Sequence, residues 1–306
     1  MRLPSLRLLP AAPLSRRTGR TRPGRRAAVA GLAGAAALAV VATGAPAAHA
    51  VIGGTEVPND AYPFMVAVLK KGPGSVKDRQ FCGGSLVAPD TVMTAAHCLV
   101  NDARMPLKPK HVQTAVGRTV LSRTGQGQIR GVARGGILVH PRYLKRQDAY
   151  DVAFIRLSRP VRGISPVKLP TQGTDALLRP GQKATVAGWG NTDTDLQHFP
   201  DRLRQVRVPI LSHDECRTSY GEYDAKVNFC AGVENRDSCQ GDSGGPIFRT
   251  VPGRGAPIQI GVVSYGEGCG GQGAPGVYVS ASSAKLWKTL GDSAGAKRVK
   301  RALARG

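Results

Sequence analysis

From residue 51 onward the apolar positions fall in short runs fenced by Gly, Pro, Asn and Asp: 64–69, 91–95, 136–140, 152–157, 184–188, 205–210, 258–264 and 276–279. Their brevity and their β-branched content predict strands. A helical period is convincing only at 282–290, with a shorter candidate at 212–220. Many short strands with few helices imply an all-β chain, a sandwich or a barrel. The Pro-punctuated stretch SRPVRGISPVKLPT, 158–171, divides the strands into two comparable groups and reads as a linker between two β halves.

Residues 1–50 do not share this pattern. Eight arginines, with no lysine and no acid, precede an Ala-rich apolar run at 27–43. The run closes on two small-x-small sites, Ala45-Pro46-Ala47 and Ala48-His49-Ala50. Basic, apolar, then cleavable is the order of a secretory signal. The signal is residues 1–50, or 1–47 followed by a tripeptide propeptide. The apolar run is short for a membrane span and is broken by Gly31 and Gly34. Arg25-Arg26 leaves both general and twin-arginine export open.

Export changes the meaning of the cysteines. All six follow residue 50, and an even count in an exported chain implies three disulfides, with 15 pairings allowed by count alone. Charge adds a second constraint. Taking the eight signal arginines from the net +23 leaves +15 for residues 51–306. Such a chain has an anionic surface as a candidate partner. Aromatics are 5% and no nucleic-acid module is recognisable, so no specific nucleic-acid partner is expected. Lys297, Arg298, Lys300, Arg301 and Arg305 crowd the tail, 291–306, which reads as a solvated, frayed end.

The stretch SCQGDSGGP, 238–246, sets a hydroxyl between an aspartate and two glycines. It is either a polar turn or an exposed nucleophile among bare backbone N–H groups. Gly241-Asp242-Ser243-Gly244-Gly245 also fits the G-x-S-x-G elbow of α/β-hydrolases, but that elbow needs a histidine after the serine, and the last one here is His213. Any base for Ser243 must come earlier. His97 sits in Thr-Ala-Ala-His-Cys, flanked by small residues and beside a cysteine. His111 and His198 lie in polar loops, His140 precedes Pro141 at a strand end, and His213 opens a short helix. An acid would fix the tautomer of such a base. Asp151 opens an apolar run that looks buried, where an unpaired carboxylate is costly. Asp148 lies three residues earlier in a loop.

TAAHC (94–98), DVAFIRL (151–157), GDSGGP (241–246) and SYG (264–266) together resemble the trypsin/chymotrypsin-like serine proteases. The resemblance runs from Val51 to about Trp287. It implies His97 as general base, Asp151 as its orienting acid and Ser243 as nucleophile, with the N–H groups of Gly241 and Ser243 as oxyanion hole. It implies the bridges Cys82–Cys98, Cys216–Cys230 and Cys239–Cys269. Asp237 matches the carboxylate that selects Lys or Arg, with Ser264, Gly266 and Gly276 completing the substrate site. Val51 matches a freed N-terminus whose amine pairs with Asp242, although Ala50 precedes it in place of a basic residue. Tyr265 stands where the family usually has Trp, and Glu267 at the pocket rim suggests a second preference for basic residues.

The resemblance implies two six-stranded antiparallel β-barrels with a short C-terminal helix. Residues 51–165 would carry His97 and Asp151, residues 166–290 Asp237 and Ser243, and 291–306 the basic tail. The expected activity is a secreted, monomeric endopeptidase cleaving protein or peptide substrates after Lys or Arg. No metal or cofactor is expected, and no membrane association once the signal is removed. The alternative is a member of weak catalysis that binds surfaces through its charge.

Overall fold

A computed structural model describes residues 51–193, 196–251, 253 and 255–305; the signal and its two cleavage sites lie outside the described residues. The first half holds β1 (Thr55–Glu56), β2 (Met65–Lys70), β3 (Gln80–Ala88), β4 (Thr91–Thr94), β5 (Val112–Val116), β6 (Gln128–Val139) and β7 (Ala153–Leu157). β2 to β7 close an antiparallel barrel in the order β2-β3-β4-β7-β6-β5. Its strands bury side chains on both faces, such as Leu86 and Ile155 on one and Met93 and Phe154 on the other, each at most 1% exposed. Burial of each such side chain contributes roughly 2–3 kcal/mol.

The second half holds β8 (Lys183–Gly188), β9 (Arg204–Pro209), β10 (Asn228–Ala231), β11 (Pro246–Thr250), β12 (Pro257–Tyr265) and β13 (Gly276–Ser280). These six and β1 form one sheet, ordered β1-β9-β8-β11-β12-β13-β10. A bridge between Ile210 and Ala231, with Leu211 N donating to Cys230 O at 3.0 Å, curls the sheet back on itself. β1 therefore leaves the first half of the sequence to pair with β9, and Glu56 faces Arg202 and Arg204 at 3.6 and 3.8 Å. Two exposed residues carry no hydrophobic pattern, so this crossing is silent in the sequence.

The halves meet on aromatic rings. Phe248 of β11 lies edge-on to Tyr62 and Phe64, at centroid distances of 4.8 and 5.5 Å, a favoured ring geometry. The segment 158–171 carries no helix or strand of its own. It is tied down by Val161 N to Pro89 O (2.7 Å), by Val167 N to Leu86 O (2.9 Å) and by a parallel bridge from Lys168 to Ile258.

Three short helices, α1 (Val76–Arg79), α2 (Pro141–Leu144) and α3 (His213–Ser219), sit in loops. The expected C-terminal helix is α4 (Ala284–Thr289), where Trp287 Nε1 donates to Ala281 O at 2.8 Å. The tail is not frayed. It forms α5 (Ala294–Leu303), capped by Ser293, with Ala296 and Val299 buried in the same core as the first barrel and Leu303 packed against it. The apolar positions 296, 299 and 303 follow the helical i, i+3, i+7 rule, which the surrounding Lys and Arg obscure. No helix among the described residues is long and apolar enough to cross a membrane.

Candidate active site

β4 and β7 are neighbours, with Thr94 opposite Ala153. The chain leaving β4 and the chain entering β7 therefore meet at one end of the barrel, where His97 and Asp151 stand. Asp151 is 4% exposed. Its Oδ1 accepts from the backbone N–H of His97 (2.9 Å), and its Oδ2 from His97 Nδ1 (2.8 Å) and Ser264 Oγ (2.7 Å). An ionised carboxylate only accepts, so Nδ1 carries the hydrogen and Nε2 is left with its lone pair. Burial disfavours the imidazolium of His97, but the charge and hydrogen bond of Asp151 outweigh it, and the pKa is raised.

Ser243 reaches this site from the other half. Its carbonyl accepts from Gly83 N of β3 at 2.8 Å. Cys98 Sγ, bonded to Cys82, lies 3.6 Å from His97 Nε2 and 3.7 Å from Ser243 O. One disulfide thus buttresses both residues. Around Ser243 the backbone donors divide sharply. The N–H groups of Asp242, Gly244 and Gly245 are taken by Cys239 O (3.0 Å), Val263 O (2.9 Å) and Asp242 O (2.8 Å). Among the described residues no acceptor takes the N–H of Gly241 or of Ser243. Gly241 has φ +94°, a value that side chains other than glycine rarely adopt.

A pocket of about 140 Å³ adjoins Ser243 and is lined by Asp237, Ser264, Gly266 and Gly276, among others. Asp237 is 2% exposed and accepts from Ser238 N at 2.7 Å. Burial pushes its carboxyl up to about 7, against backbone donors that pull it down. No cation among the described residues is paired with it. Gly276 is required here, because a Cβ would stand 2.6 Å from Asp237 Oδ1.

Asp242 is 1% exposed, and burial raises it to about 6. It accepts from Gly190 N (2.8 Å) and Cys239 N (2.9 Å). Val51 is fully buried in the core of the second sheet, and Ile52 O accepts from Asp237 N at 3.4 Å. Chain entry and pocket are thereby joined.

A family model described as trypsin matches residues 51–288. The chain belongs to the trypsin family of serine proteases. It is 39% identical over 230 residues to a trypsin of Saccharopolyspora erythraea, covering 74% of this chain and 92% of that one. It is 35% identical over 245 residues to trypsin 5G1 of Aedes aegypti, covering 78% and 83%. A venom peptide isomerase heavy chain of Agelenopsis aperta is 30% identical over 251 residues, covering 78% and 98%. α5 begins beyond the matched span.

All three disulfides of this protease pair as the resemblance implies, Cys82–Cys98, Cys216–Cys230 and Cys239–Cys269. Among the described residues, Cys82, His97 and Cys98 are the group whose ligand atoms converge, within 4.8 Å. The two sulfurs are bonded to each other, so the group is not a metal donor set. His111 and His213 stand away from these pockets, and His198 Nδ1 bonds Thr192 Oγ1 at 2.8 Å. His140 is buried between Leu286 O and Arg142 N. Sequence reading assigned Ser264 to the substrate strand and missed its bond to Asp151. Nothing local signals a partner 113 residues away. Tyr220 was missed likewise: its hydroxyl donates to Pro275 O (2.8 Å) and accepts from Glu267 N (3.2 Å).

Proposed function

We propose that this protease is exported and cleaves peptide bonds on the carboxyl side of lysine and arginine. The observation that carries the reading is Asp237, a buried carboxylate on the wall of a pocket beside Ser243, with no internal cation among the described residues. A substrate ammonium or guanidinium supplies the missing charge, and a neutral side chain leaves it unpaired.

In this reading Ser243 Oγ attacks the scissile carbonyl while its proton passes to His97 Nε2. Asp151 holds the ring and stabilises the imidazolium. The oxygen that gains charge is met by the N–H groups of Gly241 and Ser243, the two left without acceptors. Losing one such donor costs about 3 kcal/mol of barrier. The imidazolium returns its proton to the departing amine, leaving an ester on Ser243. Water, deprotonated by His97, then hydrolyses the ester and regenerates the hydroxyl.

The mature chain begins at Val51, and its α-amine pairs with Asp242. Two features support this. Asp242 is buried without a cationic partner among the described residues. Val51 also has φ +48°, a costly conformation for a β-branched residue, and a chain that starts at Val51 has no φ to constrain. Because Ala50 is no tryptic site, signal peptidase or another protease makes the cut, after Ala50 or first after Ala47.

Two measurements on secreted material test the proposal. Amino-terminal sequencing is expected to read Val-Ile-Gly-Gly. Mass spectrometry of a digested denatured protein is expected to show new C-termini almost all Lys or Arg. A broad spread of residues at the cut sites would overturn the specificity, and full activity in a chain starting before Val51 would overturn the ion pair.

A further inference from the structure

Strand alternation puts cations on an outward face of the second sheet. On β8, Ala184 and Val186 enter the core while Lys183 and Thr185 face away from it. On β9, Val208 enters the core and Arg207, opposite Thr185 across the ladder, faces away. Arg249 of β11 and Arg236 complete the wall of a pocket of about 620 Å³. Lys183, Arg207, Arg236 and Arg249 thus share one concavity that no acidic residue lines. None of the four has an ion pair among the described residues. Glu56, the acid of neighbouring β1, is engaged with Arg202 and Arg204 instead. Like charges held together without a counter-charge favour an anion among them.

Two further observations on the same lining are independent of the number of charges. Arg249 is only partly exposed, and burial lowers its pKa. Its Nη1 donates to Leu177 O at 3.1 Å and to Gln182 Oε1. Both acceptors are neutral, so the guanidinium is fixed in place with its charge uncompensated. Its Nε and Nη2 have no acceptor among the described residues and are not sealed from solvent. Gln205 is the second case. Tyr62 Oη donates to Gln205 Oε1, which orients the amide. The N–H groups of Gln205 Nε2 are left without an acceptor among the described residues, on the wall of the same pocket. A fixed guanidinium fork beside an oriented amide is a donor set suited to a tetrahedral oxyanion.

We propose that this pocket binds a short chain of linked phosphate groups, held by Lys183, Arg207, Arg236 and Arg249. Four cations around one pocket match charges spaced along a condensed phosphate more closely than single sulfates spread over sugar rings. The pocket shares no lining residue with the pockets of Ser243, His97 and Asp237, so the site does not depend on the Lys/Arg reading. It does adjoin the entry of the chain. Gly53 lines it, and a Cβ there would stand 2.8 Å from Arg236 Cγ. A ligand that binds only the folded arrangement also stabilises it.

The test is calorimetric titration of the secreted chain with sodium tripolyphosphate in about 0.15 M salt, with the melting temperature as a second readout. The parent should bind one tripolyphosphate per chain and melt several degrees higher when saturated. Lys183→Gln/Arg207→Gln removes two exposed cations and should weaken binding by about tenfold or more. Arg249→Lys keeps the charge but loses the fork, and should weaken it several-fold. Arg298→Gln/Arg301→Gln in α5 removes the same charge elsewhere and should bind within about two-fold of the parent. No binding by the parent, parent-like binding by Lys183→Gln/Arg207→Gln, or an equal loss in the α5 variant overturns the site. Tighter binding of a sulfated disaccharide than of tripolyphosphate overturns the choice of ligand.

Discussion

Ser264 Oγ donates to Asp151 Oδ2 at 2.7 Å, and 113 residues separate them. The bond ties a strand of the second sheet to the acid at the mouth of the first barrel, on the oxygen that His97 Nδ1 also uses. Alignment of β12 and orientation of His97 are therefore coupled.

Ser264→Ala removes one hydrogen bond from the Asp151 carboxylate and leaves its charge freer to hold the His97 imidazolium. The pKa of His97, already raised, should rise further, and the acid limb of kcat/KM should move to higher pH. At pH 7 a loss of about tenfold is expected for a bond to a charged acceptor. An unmoved limb with undiminished kcat/KM would show the contact to be incidental.

Asp237 gives the pocket its own pH dependence. With the carboxyl near 7, the free enzyme loses the anion as pH falls through that value. On the proposed reading, arginine binds the ionised form. The kcat/KM for an arginine substrate should therefore fall more steeply below pH 7 than the His97 limb alone dictates. Asp237→Ser on a substrate with a neutral residue at the cleaved position should show the shallower limb. Equal slopes for the two pairs would contradict the assignment.

Buried His140 donates from Nε2 to Leu286 O at 3.1 Å, accepts at Nδ1 from Arg142 N at 3.2 Å, and stacks on Tyr150. Burial lowers its pKa to about 4, with Arg142 adding to the effect. In the unfolded chain it titrates near 6.5. Between those values the unfolded state binds more protons, so stability falls as pH drops from about 6.5 to about 4. The loss is about 3 kcal/mol. Urea midpoints across that window should follow the fall in the parent and flatten in His140→Gln. A flat midpoint in the parent would refute this.

What the sequence reveals and conceals follows from the range of each interaction. Runs rich in Val and Ile, such as 184–188 and 205–210, coincide with β8 and β9 because the strand pattern is local. β3 escaped because Gly83-Gly84 interrupts its apolar run, and β11 because it opens on Pro246. α5 was hidden by its own cations. His97, Asp151, Asp237 and Ser243 were legible through short motifs. The bonds of Ser264 to Asp151 and of Tyr220 to Glu267 span distant segments and left no local trace.

Because α5 is packed through Ala296 and Val299, the bonds after Arg298, Lys300 and Arg301 lie in helix, not in the extended form that a protease binds. On the proposed Lys/Arg specificity, the tail should therefore survive. Val299→Asp places a charge in the packed face and should release the helix. Intact-mass spectra over time should show clipping at those sites in the variant and a full tail in the parent. Equal clipping in both would mean that packing offers no protection.

The most direct measurement is the rate on a small arginine anilide for the parent, Ser243→Ala and Asp237→Ser. The parent should turn it over readily. Ser243→Ala should lose several orders of magnitude, and Asp237→Ser should fail on arginine while retaining slow cleavage of an uncharged substrate. Parent-like hydrolysis by Ser243→Ala, or an arginine preference that survives Asp237→Ser, would contradict the account.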